Sequence, residues 1–149
     1  MATSATTSFR VERDLEGPSR ARAAVSRSLR GRVPATTLHD VLLVVSELVA
    51  NAVIHGQGEI DVRAELADGQ VRGEVRDRGP GVHEADRERI FDAFERGTDT
   101  ARGSGLGLAI ARGFAEANGG RVWVEPSASG GALFVLELPR VVRDGAFAP

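Results

Sequence analysis

Residues 34–56, PATTLHDVLLVVSELVANAVIHG, constrain the fold of this chain more than any other stretch. The apolar spacing predicts a helix that enters after Pro34, with Thr36 or Thr37 as its cap, and runs to about His55. Leu42, Val45, Leu48, Val49, Ala52 and Val53 make it apolar on most sides, so it must be buried. Yet Glu47, Asn51 and His55 follow one another at steps of four. A step of four drifts by only about 40° around a helix, so these three share one face. A carboxylate buried without partners costs several kcal/mol, so the stripe must face something polar. Two readings stand at this point: an internal network with arginines or backbone groups, or a site for a polar ligand.

Composition narrows the choice. At 149 residues and 42% hydrophobic, the chain suits one domain with a real core. It has no 18-residue apolar run, and its opening MATSATTSFR lacks an apolar signal core, so neither a membrane span nor export is expected. The absence of cysteine excludes disulfides, thiolate metal sites and cysteine nucleophiles, and a cytoplasmic location is the expectation. A net charge of −2 gives no pull toward nucleic acid. All 19 basic residues are arginine. A Walker A loop and Schiff-base chemistry, both of which need lysine, are therefore excluded.

Along the chain, residues 1–7 are small and polar and are expected to be disordered. SFRVERD suits a first strand, and Pro18 starts a helix ending at Gly31. After the long helix, EIDVRAEL and QVRGEVRD alternate across ADG and predict a hairpin. EADRERIFDAFER suggests a short helix, GTDTARGSG a loop, and LGLAIARGFAEANGG a helix closed by Gly119. RVWVEP and GALFVLELP complete the strands, with Trp123 expected in the core and Phe91 and Phe94 anchoring the base of the loop. Residues 8–139 then form one two-layer α/β sandwich, and 140–149 a short tail.

Three elements fit one ligand. DRGPG places Asp77 at a strand end beside Gly79 and Gly81, where a carboxylate can accept from a flat amine such as that of adenine; a plain Gly-Pro turn is the simpler reading of that piece alone. GSGLG, with Gly103, Ser104, Gly105, Leu106 and Gly107, opens a helix whose free N–H groups favour phosphate. Asn51 could give an oxygen to Mg²⁺ bridging those phosphates, leaving Glu47 one turn away to orient or deprotonate an attacking group. Arg96 and Arg102 flank the loop and are the only kind of cation available to meet phosphate. His55 either contacts the loop or phosphates or merely ends the helix. His39 and His83 read as surface residues.

These segments together resemble the GHKL ATPases, the family of gyrase-like ATPases, Hsp90-like chaperones, histidine kinases and anti-sigma-factor kinases. ELVANAVIHG is similar to the N box, DRGPGV to the G1 box, FDAFER to the F box and GSGLGLAI to the G2 box, in family order over residues 8–139. The resemblance implies the α+β Bergerat fold: a mixed, mostly antiparallel sheet covered on one face by about three helices, binding Mg-ATP under a mobile lid at about Asp92 to Ser104. Two branches compete. SELVANAVIHG and FRVERDLEGPSRARAAVSRSL look like the anti-sigma serine kinases, with Glu47 as general base and Asn51 as magnesium ligand. IFDAFERG and GSGLGLAIARGFAEANGGRVWVEP look like the catalytic domain of a sensor histidine kinase. The first branch implies a bacterial signalling kinase that phosphorylates a serine or threonine of an anti-anti-sigma-like protein, with a sigma factor as a further partner and a homodimer by analogy. The second implies catalysis in trans on a separate histidine-bearing hairpin. A third possibility is an ATP-dependent binding module without catalysis.

Overall fold

The computed structural model describes residues 4–92, 106–128 and 130–140. Five strands form one sheet in the order β1-β2-β3-β5-β4: β1 (Ala5–Val11), β2 (Ile60–Ala67), β3 (Gln70–Arg76), β4 (Arg121–Pro126) and β5 (Ala132–Pro139). Every neighbouring pair is antiparallel, so the sheet is not mixed. Among the described residues three helices, α1 (Gly17–Leu29), α2 (Ala35–His55) and α3 (Gly107–Ala117), complete an α+β sandwich.

Local chemistry explains most boundaries. Pro18 sits in the first turn of α1, where its missing N–H costs nothing, and Gly31 follows the helix with φ +80°. Asp68 (φ 54°) and Gly69 (φ 74°) form the two-residue turn between β2 and β3, whose positive φ values match the twist of a hairpin. Gly119, at φ +80°, closes α3.

The core lies between the sheet and the helices. Val41, Val44, Val45, Leu48 and Val49 of α2 are buried against Val62, Val75, Phe134 and Leu136 of the sheet. Each such side chain contributes roughly 1.5–3 kcal/mol on burial. Gly73 of β3 leaves room for Val45 and Leu136, both within 3.7 Å of where its Cβ would stand. By length and hydropathy α2 resembles a membrane-crossing helix, with a mean of 1.6 over its most apolar window. Its packing makes it the central helix of a layered core instead.

Four expectations need correction. Residues 5–7 belong to β1, paired Ala5 to Leu66 and Thr7 to Ala64, because an edge strand needs only alternation and a neighbour. Neither Thr36 nor Thr37 caps α2: the helix begins at Ala35 after Pro34, and the buried Thr37 hydroxyl donates to the Arg140 carbonyl at 3.0 Å. The segment 84–91 forms two three-residue 3-10 turns, Glu84–Asp86 and Arg89–Phe91, rather than a helix. Phe91 is buried there, stacked edge-on against Phe134 at 6.2 Å. Trp123 lies on the sheet face away from the helices, half-buried between Arg121 (4.4 Å) and Arg72 (5.6 Å), its Nε1–H donating to Glu125. Strand parity decides this: Val122 and Val124 take the inner face, so Trp123 cannot. Phe94 lies outside the described residues.

Candidate functional site

Asp77 follows β3 and continues the parity of Val71, Gly73 and Val75, so its side chain points toward the helices. It is 5% exposed. Its N–H donates to the Ala132 carbonyl at 3.2 Å, and its Oδ1 accepts from the Gly79 N–H at 2.7 Å. Among the described residues no donor reaches Oδ2, which leaves it as the acceptor facing the site. Three glycines wall this carboxylate. A Cβ on Gly56 would stand 2.8 Å from Asp77 Cβ; one on Gly79, 3.1 Å from Oδ1; one on Gly131 would collide with the Asp77 carbonyl. Gly81, at φ +78°, turns the chain away past the carbonyls of Gly130 and Gly131.

Glu47, the first residue of the polar stripe of α2, faces the start of α3. A Cβ on Gly107 would lie 2.7 Å from Glu47 Oε2, so a larger residue there would push the Glu47 carboxylate from its place. Glu47 is half-buried, and loss of solvation raises its pKa above the ordinary glutamate range. Neither Glu47 nor Asn51 has a hydrogen-bond partner among the described residues, which leaves both open to a polar ligand. His55, the last residue of α2, is exposed. His39 and His83 are also exposed, and His83 Nδ1 accepts from Ala85 N–H.

α3 begins at Leu106 and Gly107 without a side-chain cap, so its dipole and leading N–H groups are directed at the space beside Glu47. Arg96, Arg102, Gly103, Ser104 and Gly105 lie outside the described residues, as does the span assigned to the lid beyond Asp92. Among the described residues no group of three or more Asp, Glu or His side chains is placed to hold a metal ion. A magnesium ion here would draw on Asn51 and on phosphate and water oxygens, not on a protein cage. An acceptor with one oxygen open, a helix start led by Gly107 and the side chains of Glu47 and Asn51 together fit an adenine nucleotide.

Residues 37–142 match the model of the histidine kinase-, DNA gyrase B- and HSP90-like ATPases. The chain belongs to this family, the GHKL ATPases. Sensor histidine kinase component HK1 of Mycobacterium tuberculosis is 41% identical over 99 residues, 64% of this chain and 58% of that one. The ATP-binding domain of PrrB from the same species shares 32% identity, a TM-score of 0.55, and covers 70% of this chain and 69% of its own. The catalytic domain of histidine kinase ThkA gives a TM-score of 0.64 at 29% identity, over 91% of this chain and 95% of that one. The chain spans 19% of the first of its curated relatives and 58% of HK1. It carries the ATP-binding domain of the GHKL family.

Within that GHKL frame, Gly56 and Gly131 were not singled out from sequence, although both shape the Asp77 wall. The signals were present: a glycine straight after His55, and Gly130-Gly131 immediately before a strand. Gly79 also supplies the N–H that orients Asp77.

Proposed function

We propose that this chain is the ATP-binding catalytic part of a histidine kinase, transferring the γ-phosphoryl group of Mg-ATP to a histidine on a separate polypeptide or segment. One observation carries the reading. Asp77 sits against Gly56 at the end of α2, and Glu47 lies nine residues earlier on the same helix, about 13 Å along its axis. An extended nucleoside triphosphate spans such a distance, with its amine at one end and its terminal phosphate at the other. Asp77 Oδ2 would accept from the adenine amine. The start of α3 at Gly107, with Gly103, Ser104 and Gly105 before it, would meet the phosphates, and Arg96 and Arg102 would neutralise them. Asn51 would bind the magnesium ion. ATP supplies the transferable phosphoryl group. Glu47 would hold the proton-bearing side of the attacking group in line.

The relatives named as histidine kinases support the histidine acceptor over the serine or threonine acceptor suggested by the N-terminal motifs. The surface of α3 supports a partner chain: Ile110 and Phe114 are 41% and 37% exposed, one turn apart, on the helix that begins beside Glu47.

A second reading, transfer to a hydroxyl, draws on Glu47 itself. A neutral imidazole attacks without prior loss of a proton, whereas a hydroxyl benefits from a base of raised pKa. Labelling with γ-labelled ATP, protein and extract separates the two. Acid-labile, alkali-stable label on a second protein is the expected result. Acid-stable, alkali-labile label would overturn the histidine acceptor in favour of serine or threonine, with an anti-anti-sigma-like partner. Nucleotide binding without any transfer would leave a regulatory module.

A further inference from the structure

β4 is an edge strand, paired with β5 alone among the described residues. Which of its backbone groups face outward follows from the ladder. The Ser127 N–H donates to the Gly131 carbonyl at 2.8 Å, one step past the Pro126–Ala132 pair. Bonded residues alternate along an antiparallel pair, so Arg121, Trp123 and Glu125 are the ones that bond β5. On its other side β5 uses the alternate residues, as in the bond from the Asp77 N–H to the Ala132 carbonyl. Val122 and Val124 therefore turn their N–H and carbonyl groups away from the sheet, and nothing among the described residues meets them. A hollow of about 290 Å³ lies between Val122, Trp123 and the Arg112 and Glu116 side chains of α3, which leaves room along this edge.

The side chains of the edge run in reverse-complementary order, Arg121-Val122-Trp123-Val124-Glu125. Turned end for end about Trp123, the strand sets Val122 against Val124 and Arg121 against Glu125. Two copies in this register join the outward groups of Val122 to those of Val124 on both sides of an unbonded Trp123 pair. Edge charges of one sign would deter such pairing. Here the signs are opposite and equally far from the centre, so each arginine meets the glutamate of the other copy, the favourable cross-strand arrangement. Both groups are within reach of a second chain. Arg121 is 70% exposed, and its partner Glu137 also holds Arg72 at 2.8 Å. Glu125 Oε2 accepts from Trp123 Nε1 at 2.9 Å, and its other oxygen has no partner among the described residues. Pro126, without an N–H, falls opposite Gly120 and ends the paired stretch. The other edge strand, β1, has no such order: its one charged residue, Arg10, is held by Glu59 and Asp61.

We propose that two copies of this chain associate through β4, antiparallel about Trp123, into a two-fold dimer with a continuous ten-stranded sheet. The contact is isologous, each copy giving the same strand. Strands of six residues bury little area, so the dimer belongs to the weak, transient class, with a Kd of roughly 1–100 µM.

The test is sedimentation equilibrium of the full chain across that range, with Trp123, the only tryptophan, as a fluorescence probe. The mass is expected to rise from that of one chain toward that of two, with the emission shifting in step. Val124→Pro removes an outward N–H at a position an edge proline can occupy, and should raise Kd about tenfold or more. Arg121→Glu and Glu125→Arg each set like charges across the axis and should weaken association by a similar factor. An equimolar mixture of these two variants restores opposite charges at both ends of the contact, and should dimerise about as well as wild type. A melt of each variant checks its folding, and if Val124→Pro does not fold, the mixture decides. A wild-type chain that stays monomeric at ten times the upper Kd would overturn the proposal. So would a dimer unmoved by all three substitutions, which would place the contact on another surface. Single charge variants that associate as well as their mixture would overturn the register about Trp123 and the pairing with it.

Discussion

Glu47 shows how a single side chain can be held at a cost to the fold. Burial raises its pKa, so the folded state binds its proton more tightly than the unfolded state does. The stability this group contributes is therefore complete below the unfolded pKa and is lost as pH rises through the folded one. At neutral pH the ionised carboxylate is a burden. Glu47→Gln is expected to melt higher than wild type at pH 7–8, with the difference disappearing below about pH 4. The same variant should keep nucleotide binding and lose transfer by about 10²–10⁴. Equal melting at pH 7 would remove the burial argument; undiminished transfer would remove the proton-handling role. Gly131 makes the complementary point. A methyl there meets the Asp77 backbone rather than a yielding side chain, so Gly131→Ala should destabilise by roughly 1–3 kcal/mol, by overpacking. Affinity for ATP should fall with it, measured by denaturant melts and titration. Sequence displayed Glu47, Asn51 and Asp77 plainly, because a polar residue in an apolar helix or at a strand end is conspicuous. Gly56 and Gly131 were hidden because their purpose is to be absent from a space defined by a distant residue.

Elements were legible wherever one local rule dominated. The strands of the hairpin ended where alternation met Asp68-Gly69, and α2 ended where its spacing met Gly56. Legibility failed where a distant partner decided. Thr37 was taken from its capping role by the Arg140 carbonyl, Phe91 drew its segment into short turns by stacking on Phe134, and Trp123 followed strand parity over bulk. α3 offers a test of what local rules still control. Gly113 lies in its interior with open space where a Cβ would stand. Gly113→Ala should stabilise by roughly 0.5–1 kcal/mol, since only helix propensity changes. A loss of stability in a denaturant melt would mean that α3 is constrained by contacts beyond its own backbone.

At the scale of the whole molecule, the proposed nucleotide site would draw on α2, α3 and the residues at the ends of β3 and β5, so binding should report on the entire fold. Mg-ATP at a hundred times its Kd should add about 2.7 kcal/mol to the stability of the chain. Asp77→Asn should abolish most of that gain, read as a smaller ligand-induced rise in Tm. A full rise in the variant would separate Asp77 from the ligand. The order of strands carries a different consequence, for synthesis. β5 comes after β4 in the chain but lies between β3 and β4, and it alone joins them. A growing chain that has just released β4 from the ribosome holds a strand with no neighbour, and Asp77 still lacks both Ala132 and Gly131. Until the last eight residues of the sheet emerge, the nascent protein exposes the edges of β3 and β4 that β5 will pair and has no finished pocket, the state in which chaperones and aggregation compete for it.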